Sequence, residues 1–144
     1  MMKLTLKIAI ILGFILSTSC DDAVPNDLLP NITVNYIVNM NLPQYSGLQI
    51  PGVSKETPSN IGVQGILIYN FNGSYKAFDL ACPHLPVNSC VKMEFDGSIL
   101  LTCTCDDATF SIYDGSPQTN GVANSAREYH VEILGGNQLR ITNY

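Results

Sequence analysis

Cys82-Pro83-His84, a lone Cys90, then Cys103-Thr104-Cys105-Asp106-Asp107-Ala108-Thr109-Phe110, closing on Asp114-Gly115-Ser116-Pro117: this stretch decides how the chain is read. Two short clusters of soft donor atoms are separated by the eighteen residues between His84 and Cys103. Each follows a segment patterned as a hairpin. Thiolates and imidazoles presented from two loops are how a metal ion or an iron–sulfur centre is clamped. The same cysteines admit a covalent reading. Beyond Cys20 the chain holds Cys82, Cys90, Cys103 and Cys105. In an exported protein an even count points to disulfides, with three pairings open. A mixture of metal ligands and one disulfide satisfies the spacing equally well.

Around this stretch the pattern is that of strands. Asn31 to Asn41 alternates, with Ile32, Val34, Tyr36, Val38 and Met40 on one face and mostly Asn and Thr on the other, as a half-buried strand does. Leu42 to Asn60, rich in Pro, Gly and Ser, reads as a long loop. Ile61 to Phe71 is apolar, with Gly65 marking a bulge, and Asn72-Gly73 is a strong hairpin signal before a returning strand at Ser74 to Phe78. That strand runs into Cys82. Val91 to Phe95, Asp96-Gly97 and Ser98 to Thr102 form a second hairpin that delivers Cys103. Phe110 to Tyr113 is a short strand. Glu128 to Leu134, Gly135-Gly136-Asn137 and Gln138 to Thr142 make a closing hairpin. The expected fold is all-β, a small antiparallel sandwich or barrel with two functional loops.

Residues 1–19 stand apart from this domain. Lys3 and Lys7 precede a nine-residue apolar run, Ile8 to Leu16, and Ser17-Thr18-Ser19 precede Cys20. Such a run is too short to cross roughly 30 Å of hydrocarbon as a helix and reads as a signal peptide. Small residues directly before a cysteine resemble a bacterial lipoprotein signal, although Ser17 stands where a leucine is usual. The resemblance implies cleavage before Cys20, lipid on its thiol and a membrane anchor through that lipid. The expected organisation is a signal at 1–19, a lipidated tether at 20–30 and one domain at 31–144. Loss of Lys3 and Lys7 moves the formal charge from −5 to −7. With no basic cluster left, nucleic acid is excluded as the natural partner.

From about Gly62 to Asn143 the chain resembles a Rieske-type [2Fe–2S] domain. The family pattern is Cys-x-His in one loop and Cys-x-x-His about 15 to 20 residues later. Tyr75-Lys76-Ala77-Phe78-Asp79 leads into Cys82-Pro83-His84 as in many such domains. Gly115-Ser116-Pro117 and Gly121-Val122-Ala123 resemble the proline-containing segment that covers the cluster, and Tyr129 and Val131 the tyrosine-x-valine of the closing strand. The resemblance implies Cys82, Cys103 and His84 as ligands. It also implies a Cys90–Cys105 disulfide like the one that cross-links the two loops in the respiratory branch.

Position 106 departs from the pattern. The second histidine is Asp106, the usual next glycine is Asp107, the usual serine is Ala108 and the frequent tyrosine is Phe110. A carboxylate is a ligand ferric iron accepts, which gives an expected site of Cys82, His84, Cys103 and Asp106. An anion in place of an imidazole, with two hydroxyl groups lost, should lower the potential below the usual range of about −150 to +300 mV. The function this implies is one-electron transfer with an envelope redox partner protein, by a module that is not a stand-alone catalyst. The rival expectation is a degenerate site, with Cys82–Cys103 and Cys90–Cys105 as two disulfides stapling the loops of a binding module, each worth about 2–4 kcal/mol. Zinc on Cys82, His84, Cys103 and Cys105 or Asp106 has suitable ligand types but not the spacing of a usual zinc finger. Cys103-Thr104-Cys105 as a redox dithiol lacks a helix start or basic neighbour to lower a thiol pKa.

Overall fold

The computed structural model describes residues 28–144. The expected signal peptide, Cys20 and most of the tether lie outside the described residues. Among the described residues there are nine strands: β1 (Asn35–Asn39), β2 (Ser54–Glu56), β3 (Ile66–Phe71), β4 (Ser74–Asp79), β5 (Glu94–Phe95), β6 (Leu100–Thr102), β7 (Thr109–Ser111), β8 (Glu128–Leu134) and β9 (Gln138–Thr142). They form an antiparallel six-stranded sheet in the order β1-β9-β8-β4-β3-β2 and a three-stranded sheet in the order β5-β6-β7. This is the all-β antiparallel architecture expected, with the closing hairpin at the expected residues and the Asn72-Gly73 turn joining β3 to β4.

The centre of the fold is buried on both faces. Side chains alternate across a strand, and Ile66 and Ile68 of β3 enter one apolar core with Val38, Leu48, Leu139 and Ile141. Leu67, between them, enters the other with Phe78, Met93, Leu101, Phe110 and Ile112. A strand covered on both sides needs the continuous apolar run Ile66-Leu67-Ile68 rather than an alternating one. The second core is where the small sheet packs, and it contains both Cys82 and Cys103.

Several expected extents are revised, with the strand over Asn31 to Asn41 confined to Asn35–Asn39 and that over Val91 to Phe95 to Glu94–Phe95. The strand expected from Ile61 begins at Ile66, because Gly62 (φ 73°) and Gly65 (φ 93°) turn the chain around a buried carboxylate. Leu42 to Asn60 is not a bare loop. It holds a 3-10 turn at Pro43–Tyr45, whose Tyr45 is buried, and the edge strand β2. The side-chain amide of Asn70 donates to the Leu48 carbonyl at 2.8 Å, pinning this segment to the sheet.

Candidate metal centre

β4 ends on Asp79, which is fully buried. Its carboxylate accepts hydrogen bonds from the Val63 amide (2.7 Å), the Gln64 amide (3.3 Å), the Ala81 amide (2.8 Å) and the Tyr129 hydroxyl (2.8 Å). A buried charge is tolerable when it is so fully solvated by protein donors. This knot fixes the backbone immediately before Cys82. Burial, and next the negative Asp79, push the Tyr129 phenol well above its ordinary range. The Gln64 side chain donates to the Cys90 carbonyl (3.2 Å) and holds the far end of the first loop.

The second loop is the tight connection from β6 to β7. The Cys103 amide donates to the Ala108 carbonyl (2.8 Å) and the Asp107 amide to the Cys103 carbonyl (3.0 Å). Asp106 Oδ1 accepts from the Ala108 amide at 3.2 Å. The turn requires a left-handed residue at 107, where φ is 59°. That conformation costs least for glycine and is tolerated by aspartate, which explains why a glycine is usual here and why Asp107 can replace it. The proline-containing segment is tied to both loops. Gln118 N donates to the Thr109 carbonyl (2.8 Å), and the Asn124 side chain donates to the Pro83 carbonyl (3.1 Å).

These supports bring the four expected ligand positions to one place. Cys82 and Cys103 are bonded to each other as a disulfide, and Cys90 to Cys105 as a second, each with a Cα–Cα distance of 5.8 Å. The second is the pair implied by the family resemblance. His84 Nε2 lies 2.6 Å from Asp106 Oδ2. The donor atoms of His84, Cys103 and Asp106 all lie within 4.8 Å of one another. The His84 hydrogen bond is the main reason the Asp106 carboxyl stays below the usual carboxylate range. An ionised Asp106 makes Nε2 the donor, so in the neutral imidazole the lone pair is on Nδ1. That atom is buried and has no hydrogen-bond partner. Buried polar atoms are nearly always satisfied, and a buried lone pair without a hydrogen bond is one that a metal would satisfy. The donor types that meet here, an imidazole, a cysteine sulfur and a carboxylate, fit a metal group, and Cys82 is bonded to that sulfur.

Sequence reasoning missed Asp79, whose role depends on contacts from residues 63, 64, 81 and 129. His130, in β8, is exposed and paired across from Thr142, an ordinary strand position. Ala108 and Phe110 are buried beside the loops, and the Phe110 ring lies 5.8 Å from that of His84.

No family model matches the chain. No curated protein matches it either. Among solved structures it is similar to the ferredoxin of carbazole 1,9a-dioxygenase from Nocardioides aromaticivorans IC177, at 16% identity and a TM-score of 0.49, over 79% of this chain and 100% of that one. A protein described as the small subunit of an NADH-dependent nitrite reductase from Mycobacterium tuberculosis is similar at 17% identity and a TM-score of 0.47, over 79% and 98%. At these values the likeness is one of fold only. The sheet order and the paired loops define an all-β domain with two juxtaposed cysteine-bearing loops.

Proposed function

We propose that this chain is a Rieske-like electron-transfer protein whose two loops hold a [2Fe–2S] cluster. The observation that carries the reading is the grouping of donor atoms from His84, Cys103 and Asp106 within 4.8 Å of one another, with Cys82 bonded to Cys103 and the buried Nδ1 of His84 left without a hydrogen bond. When bound, the cluster would supply reversible one-electron transfer. As a dithiol, Cys82 and Cys103 would offer two thiolates, His84 its Nδ1 lone pair and Asp106 an anionic oxygen. The second core excludes water from the cysteine side, and Asp106 lies at the exposed loop tip. The two cavities described, of about 440 and 140 Å³, are lined by none of these four residues. The reading extends to an envelope location, with lipid on Cys20 anchoring the chain to a membrane and a redox protein of the envelope as partner.

The test is an absorption spectrum with iron and sulfide analysis of the full chain, produced with cluster assembly available. Two irons and two sulfides per chain are expected. Asp106→Ala should weaken the cluster, and Asp106→His should raise its potential by replacing an anion with a neutral ligand. A protein that remains colourless when prepared without oxygen would overturn the reading.

One observation favours a second reading, a disulfide-stapled binding module: the bond between Cys82 and Cys103. Counting thiols in the denatured chain separates the two. The carrier releases two from these positions, and the stapled module releases none.

A further inference from the structure

The two disulfides are in contact. Cys82 Sγ, in the inner disulfide, lies 3.7 Å from Cys90 Sγ, in the outer one. That is van der Waals contact between sulfurs that are not bonded to each other. The pairs differ in access. Cys103 is completely buried and Cys82 almost so, whereas Cys105 is exposed at the tip of its loop. The Thr104 hydroxyl lies 3.8 Å from Cys90 Sγ. A disulfide sulfur carries no proton, so the hydroxyl is the donor in that contact.

We propose that the four sulfurs form a thiol–disulfide relay, in which an external dithiol attacks the outer disulfide and the inner, buried one is opened from within. Exchange proceeds by attack of a thiolate on a disulfide sulfur through a mixed disulfide. An external thiolate attacks Cys105 Sγ. The Cys90–Cys105 bond breaks, and Cys90 leaves as a thiolate, with the Thr104 hydroxyl placed to donate to it. The second thiol of the external molecule resolves the mixed disulfide, leaving the external dithiol oxidised and Cys105 as a thiol. The Cys90 thiolate then attacks Cys82 Sγ. A Cys82–Cys90 bond forms, the Cys82–Cys103 bond breaks, and Cys103 takes up the proton. Two electrons have entered, one disulfide has been lost, and the reduced pair is now Cys103 and Cys105. A buried disulfide is thereby opened through an exposed one. The relay belongs to the metal-free, oxidised chain, since Cys82 and Cys103 cannot be bonded to each other while they hold a metal.

The test uses the full chain after air oxidation. One equivalent of dithiothreitol is added, the reaction is quenched with acid at intervals, free thiols are alkylated, and peptides are mapped by mass spectrometry. Mapping by peptide reads Cys20 separately. The expected intermediate carries a Cys82–Cys90 disulfide with Cys103 and Cys105 alkylated. In Cys90→Ser/Cys105→Ser, reduction of Cys82–Cys103 should slow by about tenfold or more, because the attacking thiolate must then come from solvent. Absence of the Cys82–Cys90 species, an unchanged rate in the double variant, or an air-oxidised chain lacking the Cys82–Cys103 bond would each overturn the proposal. The trapping experiment on the unaltered chain decides it even where the double variant does not fold.

Discussion

Tyr129→Phe tests whether the buried knot at Asp79 holds the loop pair in place. The substitution removes one hydroxyl and little else, since the ring stays in the first core. The lost bond is a 2.8 Å contact to a buried carboxylate, and a hydrogen bond to a charged partner contributes about 1.5–3 kcal/mol. Asp79 keeps its three backbone donors, so the loss should stay within that interval. In a domain of this size it corresponds to a melting temperature lower by about 5–15 °C. The pH dependence gives a second, independent signature. The folded chain holds the Tyr129 proton more tightly than its ordinary pKa of 10.0 implies, and burial raises Tyr45 and Tyr75 as well. Below pH 10 all three phenols are protonated in both states. Above it the unfolded chain releases protons first, so stability must fall as pH rises. Tyr129→Phe should remove one of the three contributions and flatten that decline. Urea unfolding monitored between about pH 7 and pH 11.5 reads both effects. A change below about 0.5 kcal/mol at neutral pH, together with an unaltered alkaline slope, would refute the role given to this bond.

Gly62→Ala should cost at least about 2 kcal/mol, because its Cβ would come 2.5 Å from Asp79 Oδ2 at a φ of 73°; chemical denaturation checks this. Asp107→Gly relieves a left-handed aspartate and should raise stability by up to about 1 kcal/mol, read in the same assay. Leu101→Ala removes a fully buried side chain from the core under the small sheet and should cost about 2–5 kcal/mol. Hydrogen exchange should then show the loss of protection concentrated at β5–β7.

The long alternating and apolar segments were legible because their physics is local. β8, β9 and the Asn72-Gly73 hairpin follow from period-two patterning and a turn dipeptide that accepts positive φ. β2 was illegible for the opposite reason. Ser54-Lys55-Glu56 carries no apolar alternation, and the strand exists only because β3 offers it an edge. Asp79 reads in sequence as a polar residue ending a strand, since nothing local announces that four donors converge on it. At the candidate site, the cysteines, His84 and Asp106 were visible as donor types. Their pairing was not, because four cysteines on two loops permit several arrangements. The 2.6 Å contact between His84 and Asp106 depends on how two loops 22 residues apart meet.

Apart from β4, the strands that flank the loops are two or three residues long, and strands so short do not hold a site by themselves. Their order comes from elsewhere, and most of those supports use no ligand side chain. Asp79 fixes the approach to Cys82, Gln64 holds the Cys90 carbonyl, Asn124 holds Pro83, and the Cys90–Cys105 bond joins the loop tips. A site built this way differs from a zinc finger, whose fold is supplied by its metal. On the proposed reading, the aspartate at position 106 acts on the potential and affinity of the cluster, while the loops themselves remain formed. Asp106→Ala should accordingly leave the unfolding midpoint almost unchanged, since its 40%-exposed side chain contributes little as a surface ion pair. Cooperative unfolding that disappeared in that variant would show that the loops depend on the ligand residues after all.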